Sequence, residues 1–149
     1  MTMSTDADII EYFPDLYDYG IQEFDSFHEK TRQDIFRLLR IQWWPTQALR
    51  LRTDITVINT NVEMDDTLIT ESQFTRAAVF HCLAYYILPQ LSKFEPDGDR
   101  FAEMMEYFKN RFTEEFDLVI KDGVEYDFDE DGTVEDAEKA PQRFLRLVR

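Results

Sequence analysis

The stretch FAEMMEYFKNRFTEEFDLVI, residues 101–120, decides the fold. Phe101, Met104, Met105, Phe108, Phe112, Phe116, Val119 and Ile120 recur at the i, i+3, i+4 spacing of one helix face over about five turns. Asp97 or Asp99 is placed to cap its start after the loop Glu95-Pro96-Asp97-Gly98, and Gly123 fits its C-cap. Glu106 with Lys109, and Arg111 with Glu115, offer only tenths of a kcal/mol, so packing of the aromatic stripe must hold this helix.

Upstream, Thr70-Glu71-Ser72-Gln73 has the form of a capping box, in which the Thr70 hydroxyl takes the Gln73 amide and the Gln73 side chain returns to the Thr70 amide. The segment that follows is apolar on nearly every side from Ala77 to Leu88, which predicts a central helix covered by the rest of the domain or by neighbouring subunits. Pro89 either ends it or kinks it, with Gln90, Leu91 and Phe94 able to add a turn. A third helix is read from Ile21, Phe24, Phe27, Ile35, Leu38 and Leu39, with an interruption near Thr31. It should stop before Trp44, because Pro45 biases its predecessor away from the α region. Helix or strand geometry would point Trp43 and Trp44 in different directions, so at least one is a candidate to face a partner, with core filling as the competing reading. Residues 51–62, LRTDITVINTNV, read as a strand from their Thr, Val and Ile content. Pro14 and Gly20 make the preceding segment a short helical turn or an irregular arm.

The expected fold class is mainly α: a small bundle of three to four helices with a short β-strand or hairpin region and extended terminal arms. All of 1–149 reads as a single domain. Within it, 1–20 is an N-terminal arm, 21–123 a helical body with the strand near 51–62, 124–138 an acidic hairpin or loop, and 139–149 a basic C-terminal tail.

The formal charge of −15 is concentrated, since Glu114 to Glu138 alone carries net −11. A DNA reader needs a basic patch to neutralise phosphates, and none occurs before Lys139, Arg143, Arg146 and Arg149. The first twenty residues carry acids but no Lys or Arg, and no run approaches the apolar length of a membrane span, so neither secretion nor a membrane partner is expected. Cys82 stands alone and lies in an apolar run, which suits a buried thiol.

Asp127 to Glu138, DFDEDGTVEDAE, matches the calcium-loop pattern D-x-D-x-D-G-x5-E. In that reading Asp127, Asp129 and Asp131 converge where Gly132 allows a sharp turn, Thr133 offers its carbonyl, Glu135 acts directly or through water, and Glu138 closes the shell with two oxygens. Gly123 breaks the incoming helix too early for a helix-loop-helix, and Pro141 leaves little room for an exit helix. The competing reading is a β-hairpin without metal, with Val124, Tyr126 and Phe128 on one face, a turn at Glu130-Asp131-Gly132 and a return from Thr133. No cofactor other than calcium is implied. His28 and His81 both have structural explanations and no nucleophile elbow, zinc motif or phosphate loop occurs, so an enzyme is not expected.

The early helix ending near Trp-Pro, the segment QFTRAAVFHCLAYYILPQL and the long helix FAEMMEYFKNRFTEEFDLVIKDGVEYDFDEDG running into an acidic turn resemble the small head–tail connector (adaptor or head-completion) proteins of tailed bacteriophages. The resemblance spans most of Ile21 to Glu138. It implies a structural virion protein at the head–tail junction, assembled in the host cytoplasm into a ring of commonly twelve copies. The implied partners are a second copy, the portal protein, a downstream neck or tail protein, and double-stranded DNA that passes through unread. Trp43, Trp44, Arg143, Phe144, Arg146 and Leu147 are then the interface candidates. The alternative from another class is a calcium-responsive protein-binding module built on the 127–138 loop.

Overall fold

A computed structural model describes residues 3–21, 23–47, 63–92 and 99–139. Helix α1 (Asp6–Tyr12) is followed by a 3-10 turn at Leu16–Tyr19, helix α2 (Asp25–Gln42) and the short α3 (Trp44–Gln47). After 3-10 turns at Asp66–Leu68 and Glu71–Phe74 come α4 (Thr75–Cys82), a π-helical turn at Leu83–Ile87, and α5 (Leu88–Leu91). Helix α6 (Arg100–Asp122) and the short α7 (Asp136–Lys139) complete the order. The mainly helical class is therefore as expected, with more elements than the bundle of three to four that periodicity suggested.

The centre is α4 with its π turn. Ala77 to Ala84, Ile87 and Leu88 are all buried, and α4 packs on α1, α2 and α6. Phe108, Phe112, Phe116 and Val119 of the α6 stripe close one side of it, while Ile35, Phe36 and Leu39 of α2 close another. The π turn has a local cause. Pro89 has no amide to offer the Tyr85 carbonyl and its ring crowds that carbonyl, and the ladder shifts upstream so that the Leu88 amide donates to the Leu83 carbonyl. Pro89 thus widens the helix rather than ending it, and Leu91 is its last residue.

Several local expectations change. Helix α2 runs through Thr31 without a break, because Thr31 is fully buried against the core. Pro45 occupies the first turn of α3, where its missing amide costs nothing. The N-terminal segment is not an extended arm. Thr5 and Asp8 form a reciprocal capping box at α1, and Met3, Ser4, Ile9 and Leu16 are buried against the body. Asp99 does cap α6, accepting from the Ala102 amide at 2.8 Å. Arg111 pairs with Glu114 rather than Glu115, which meets Arg76 from α4.

No strand or hairpin occurs among the described residues. The one β-type contact among the described residues is a single antiparallel bridge, Ile69 with Tyr126. Residues 124–127 pair with 68–70 through the Thr70 amide to the Glu125 carbonyl (3.0 Å) and the Asp127 amide to the Leu68 carbonyl (3.1 Å). The hairpin reading of 124–135 is thereby corrected: Val124 and Tyr126 alternate as a strand would, but their ladder partner is a distant segment. The strand expected at 51–62 and the tail beyond Lys139 lie outside the described residues.

Candidate metal centre

The acidic segment is rooted in aromatics. Tyr126 and Phe128, on either side of Asp127, both pack on Trp43 and Trp44, with ring centroids 5.1 Å apart for Trp44 and Tyr126 and 4.7 Å for Tyr126 and Phe128. Both tryptophans are buried. The α2-to-α3 turn folds the second indole back beside the first, so the adjacent residues share one cluster instead of facing opposite ways. A second root is Gln73. Its amide donates to the Gly123 carbonyl (2.8 Å) and its carbonyl accepts from the Glu125 amide (2.9 Å). The capping box expected at Thr70 is therefore not made: Gln73 reaches across to the segment after α6.

Beyond Phe128 the chain is organised by carboxylates. Asp127 accepts from the amides of Asp131 (3.2 Å) and Gly132 (2.8 Å), and Asp131 accepts from the Thr133 amide (2.8 Å) and hydroxyl (2.7 Å). Glu130 (φ 59°) and Gly132 (φ 90°) take left-handed conformations that let the loop close this tightly. Carboxylate oxygens of Asp127, Asp129 and Asp131 come within 4.8 Å of one another, with Asp127 buried and the other two exposed. Thr133 holds the Asp131 carboxyl below its ordinary pKa. Asp129, although the Asp131 amide favours its charged form, is held above the ordinary value by desolvation and by the neighbouring acids.

Glu138 is not among the carboxylates that converge within 4.8 Å. One of its oxygens accepts from the amides of Phe128 (2.8 Å) and Asp129 (3.3 Å), and the other from Glu135 (2.8 Å). It closes the loop by tying α7 to the loop entrance, where the calcium pattern would have it turn both oxygens to the ion. Glu135 is exposed and offers its amide to Glu138. A hard cation wants six to eight oxygens. The three aspartates fit that donor chemistry, and Thr133 and water would supply part of the rest.

The histidines have different surroundings. His28 is buried, with Ser4 Oγ and Asp6 Oδ1 each 2.7 Å from a ring nitrogen. This Ser-His-Asp chain had no sequence signal, because its members lie on two elements. Ser4 is 2% exposed, so no substrate atom reaches its hydroxyl, and the chain pins the N-terminal segment to α2. His81 is packed between Tyr85 and Phe112, with its Nδ1 unpartnered and Asp34 3.8 Å from Nε2. Burial pushes its pKa down to about 4 against the weaker pull of Asp34. The Cys82 thiol is pushed up to about 12 by burial, which leaves no thiolate for nucleophilic chemistry near neutral pH.

No helix among the described residues is long and apolar enough to cross a membrane. Comparison with protein-family models, with curated proteins and with solved structures returned no match. Arg143, Phe144, Arg146 and Leu147 lie outside the described residues.

Proposed function

We propose that residues 127–138 take up a hard divalent cation, calcium in the first place, and that the chain is a calcium-responsive protein-binding module. The observation that supports this is the convergence of the Asp127, Asp129 and Asp131 carboxylates within 4.8 Å, on a segment whose flanking Tyr126 and Phe128 rest on both tryptophans. A cation drawing Asp127 toward the other two carboxylates pulls on the hydrogen bonds it accepts from the Asp131 and Gly132 amides and, through its own backbone, on the adjoining Tyr126 and Phe128. The aromatic cluster is the surface that such a movement would offer to a protein partner. Titrating calcium into chelator-treated protein should release or absorb heat and shift the emission of Trp43 and Trp44, the two tryptophans of the chain. Saturation at a hundred times the dissociation constant adds about 2.7 kcal/mol of stability. No heat, with unchanged emission and melting temperature at millimolar calcium, sinks the reading.

A second reading, the ring-forming head–tail connector, is favoured by a different observation. Tyr107 and Leu118 are exposed at 58% and 56%. They stand eleven residues apart on α6, which places them within about 20° of each other on one outward face. Ile41 is exposed at 63% on α2. A ring uses two different faces of each subunit, and these two apolar faces would pack against neighbours between portal and neck or tail, with DNA passing through the lumen. Mass photometry with the cognate portal should show a ring on one vertex. A monomer bound to no portal removes this reading and leaves the first untouched.

A further inference from the structure

A groove of about 580 Å³ lies between α2 and α6, with His81 of α4 and Tyr85 of the π turn in its lining. Its size is that of sites for small organic ligands, which combine apolar walls with a few placed polar groups. Leu38 and Ile41 come from α2, Phe112 and Phe116 from α6. Ile41 is exposed at 63% and Tyr85 at 45%, so part of this apolar wall is open to water. The charged residues are Asp34 and Arg37 from α2 and Asp117 from α6, two acids against one base.

His81 marks this groove out. The residue is 5% exposed, its Nδ1 is sealed without a hydrogen-bond partner, and its Nε2 stands 3.8 Å from Asp34 Oδ2, beyond hydrogen-bond reach. Leaving a buried imidazole in that condition is costly, and the fold tolerates the cost beside an open groove. Burial keeps the ring uncharged near neutral pH, its pKa pushed down to about 4, so one ring nitrogen is free to accept. Tyr85 and Phe112 hold the ring from two sides, with centroids at 4.5 and 4.8 Å. Asp34 is fixed by the Tyr86 hydroxyl that donates to it, yet its side chain keeps 41% of its surface in water. Two acceptors, one of them charged, therefore face each other across 3.8 Å. A single ammonium nitrogen donating to each at about 2.9 Å spans that gap.

We propose that this groove binds a small aromatic amine, whose ammonium bridges Asp34 and His81 Nε2 and whose ring covers Leu38, Ile41 and Phe112. The amine brings the donor that His81 lacks and a positive charge for the two carboxylates. A neutral alcohol brings one hydrogen to two acceptors, and an anion of the same shape meets Asp34 and Asp117 with only Arg37 in its favour. The ring takes the exposed part of the apolar wall out of water. None of these residues belongs to 127–138, so the site does not rest on the calcium reading, and its test is made in chelator.

The probe is phenethylamine, compared with phenethyl alcohol and phenylacetate, which keep the ring and a short arm and change the end group. Titration of the full-length, isotope-labelled chain followed by NMR should give a dissociation constant on the order of a millimolar for the amine. The ring signals of His81 and Tyr85 should shift, and those of His28, the other histidine, should not. The alcohol should bind about tenfold more weakly, and phenylacetate more weakly still. Asp34→Asn keeps an oxygen for the Tyr86 hydroxyl and removes the charge, while His81→Phe keeps a ring and removes the acceptor. Each should weaken the amine by about tenfold. The comparison of three probes is made on the wild type, so it stands even where a variant fails to fold. The proposal is overturned by unmoved His81 signals at about ten times the expected constant, by an alcohol or acid that binds as tightly as the amine, or by a folded variant of either kind that binds it undiminished.

Discussion

The central helix at 75–91 and the loop at 124–139 are built by opposite means. Around α4 almost every contact is apolar, and the side chains from Ala77 to Ala84 are sealed from water. In the loop the aromatic root ends at Phe128, and from there the shape is fixed by carboxylates accepting backbone amides: Asp127 for Asp131 and Gly132, Asp131 for Thr133, Glu138 for Phe128, Asp129 and Glu135. The first region depends on volume and the second on charge. A change of ion or a new carboxyl substituent should therefore reach the loop while leaving the body folded, and a change of side-chain volume should do the reverse.

Phe74→Ala strikes the body hardest. Phe74 is fully buried where the chain enters α4 and meets Phe116 at 6.4 Å. Its loss should cost about 3–5 kcal/mol, read as a lower denaturant midpoint with an unchanged slope. Calcium heat per folded molecule should stay the same, and a loop that lost its calcium response with Phe74 would break the division between the two regions. Next comes acid. The folded-state pKa of His81 is depressed from 6.5 to about 4, so between those values the unfolded chain binds a proton that the folded chain refuses. His81 contributes its full stability above pH 6.5, loses it as pH falls toward 4, and changes little below that. The loss amounts to roughly 3 kcal/mol. The charged groups of the same cleft, Asp34 and Arg37 from α2 and Asp117 from α6, bound the effect from both signs. Thermal midpoints from pH 7 to 4 should fall in the wild type and flatten in His81→Gln.

The body was more legible in sequence than the loop for the same reason. The α6 stripe and the all-round apolarity of 77–88 are periodic signals, and periodicity is what packing against a core imposes on a helix. Pro89 announced a disturbance but not its form, since a π turn depends on how the neighbouring helices hold both ends. In the loop, the D-x-D-x-D-G spacing located three converging carboxylates. Glu138 holds backbone amides where the pattern would have it hold an ion, because the same carboxylate can bind either, and the position of α7 sets which amides it reaches. The Trp43-Trp44 cluster and the Ser4–His28–Asp6 chain join residues far apart in sequence through tertiary geometry, which leaves no local pattern. Gln73 satisfied a local motif and made a tertiary bond instead.

Gly123→Ala tests the joint between the regions. Its φ of 105° disfavours any side chain, and a Cβ there meets the Lys139 carbonyl at 1.9 Å, with backbone on both sides. The expected cost is about 1–3 kcal/mol, confined to the joint: hydrogen exchange should quicken in 136–139 and at the Glu125 amide, with α4 protection unchanged. Protection lost throughout α4 would show that loop and body unfold as one unit.

The smallest effect compares two carboxylates of equal charge. Glu114 on α6 is exposed and pairs with Arg111 at 2.9 Å, a pair that water screens and that two long side chains must lose freedom to make. Glu114→Ala should move the thermal midpoint by less than its error, within about 0.5 kcal/mol. Asp131 is exposed too, yet its oxygen holds the Thr133 amide and hydroxyl at 2.8 and 2.7 Å. Asp131→Ala should free Thr133 to exchange and weaken calcium binding while α4 stays protected. If the two substitutions proved equally silent, surface charge would be as incidental in the loop as on α6, and the carboxylates of 127–138 would have no claim to shape the segment. If Asp131 alone responds, its effect comes from the Thr133 amide and hydroxyl it holds and from its place in the carboxylate cluster, not from surface charge as such.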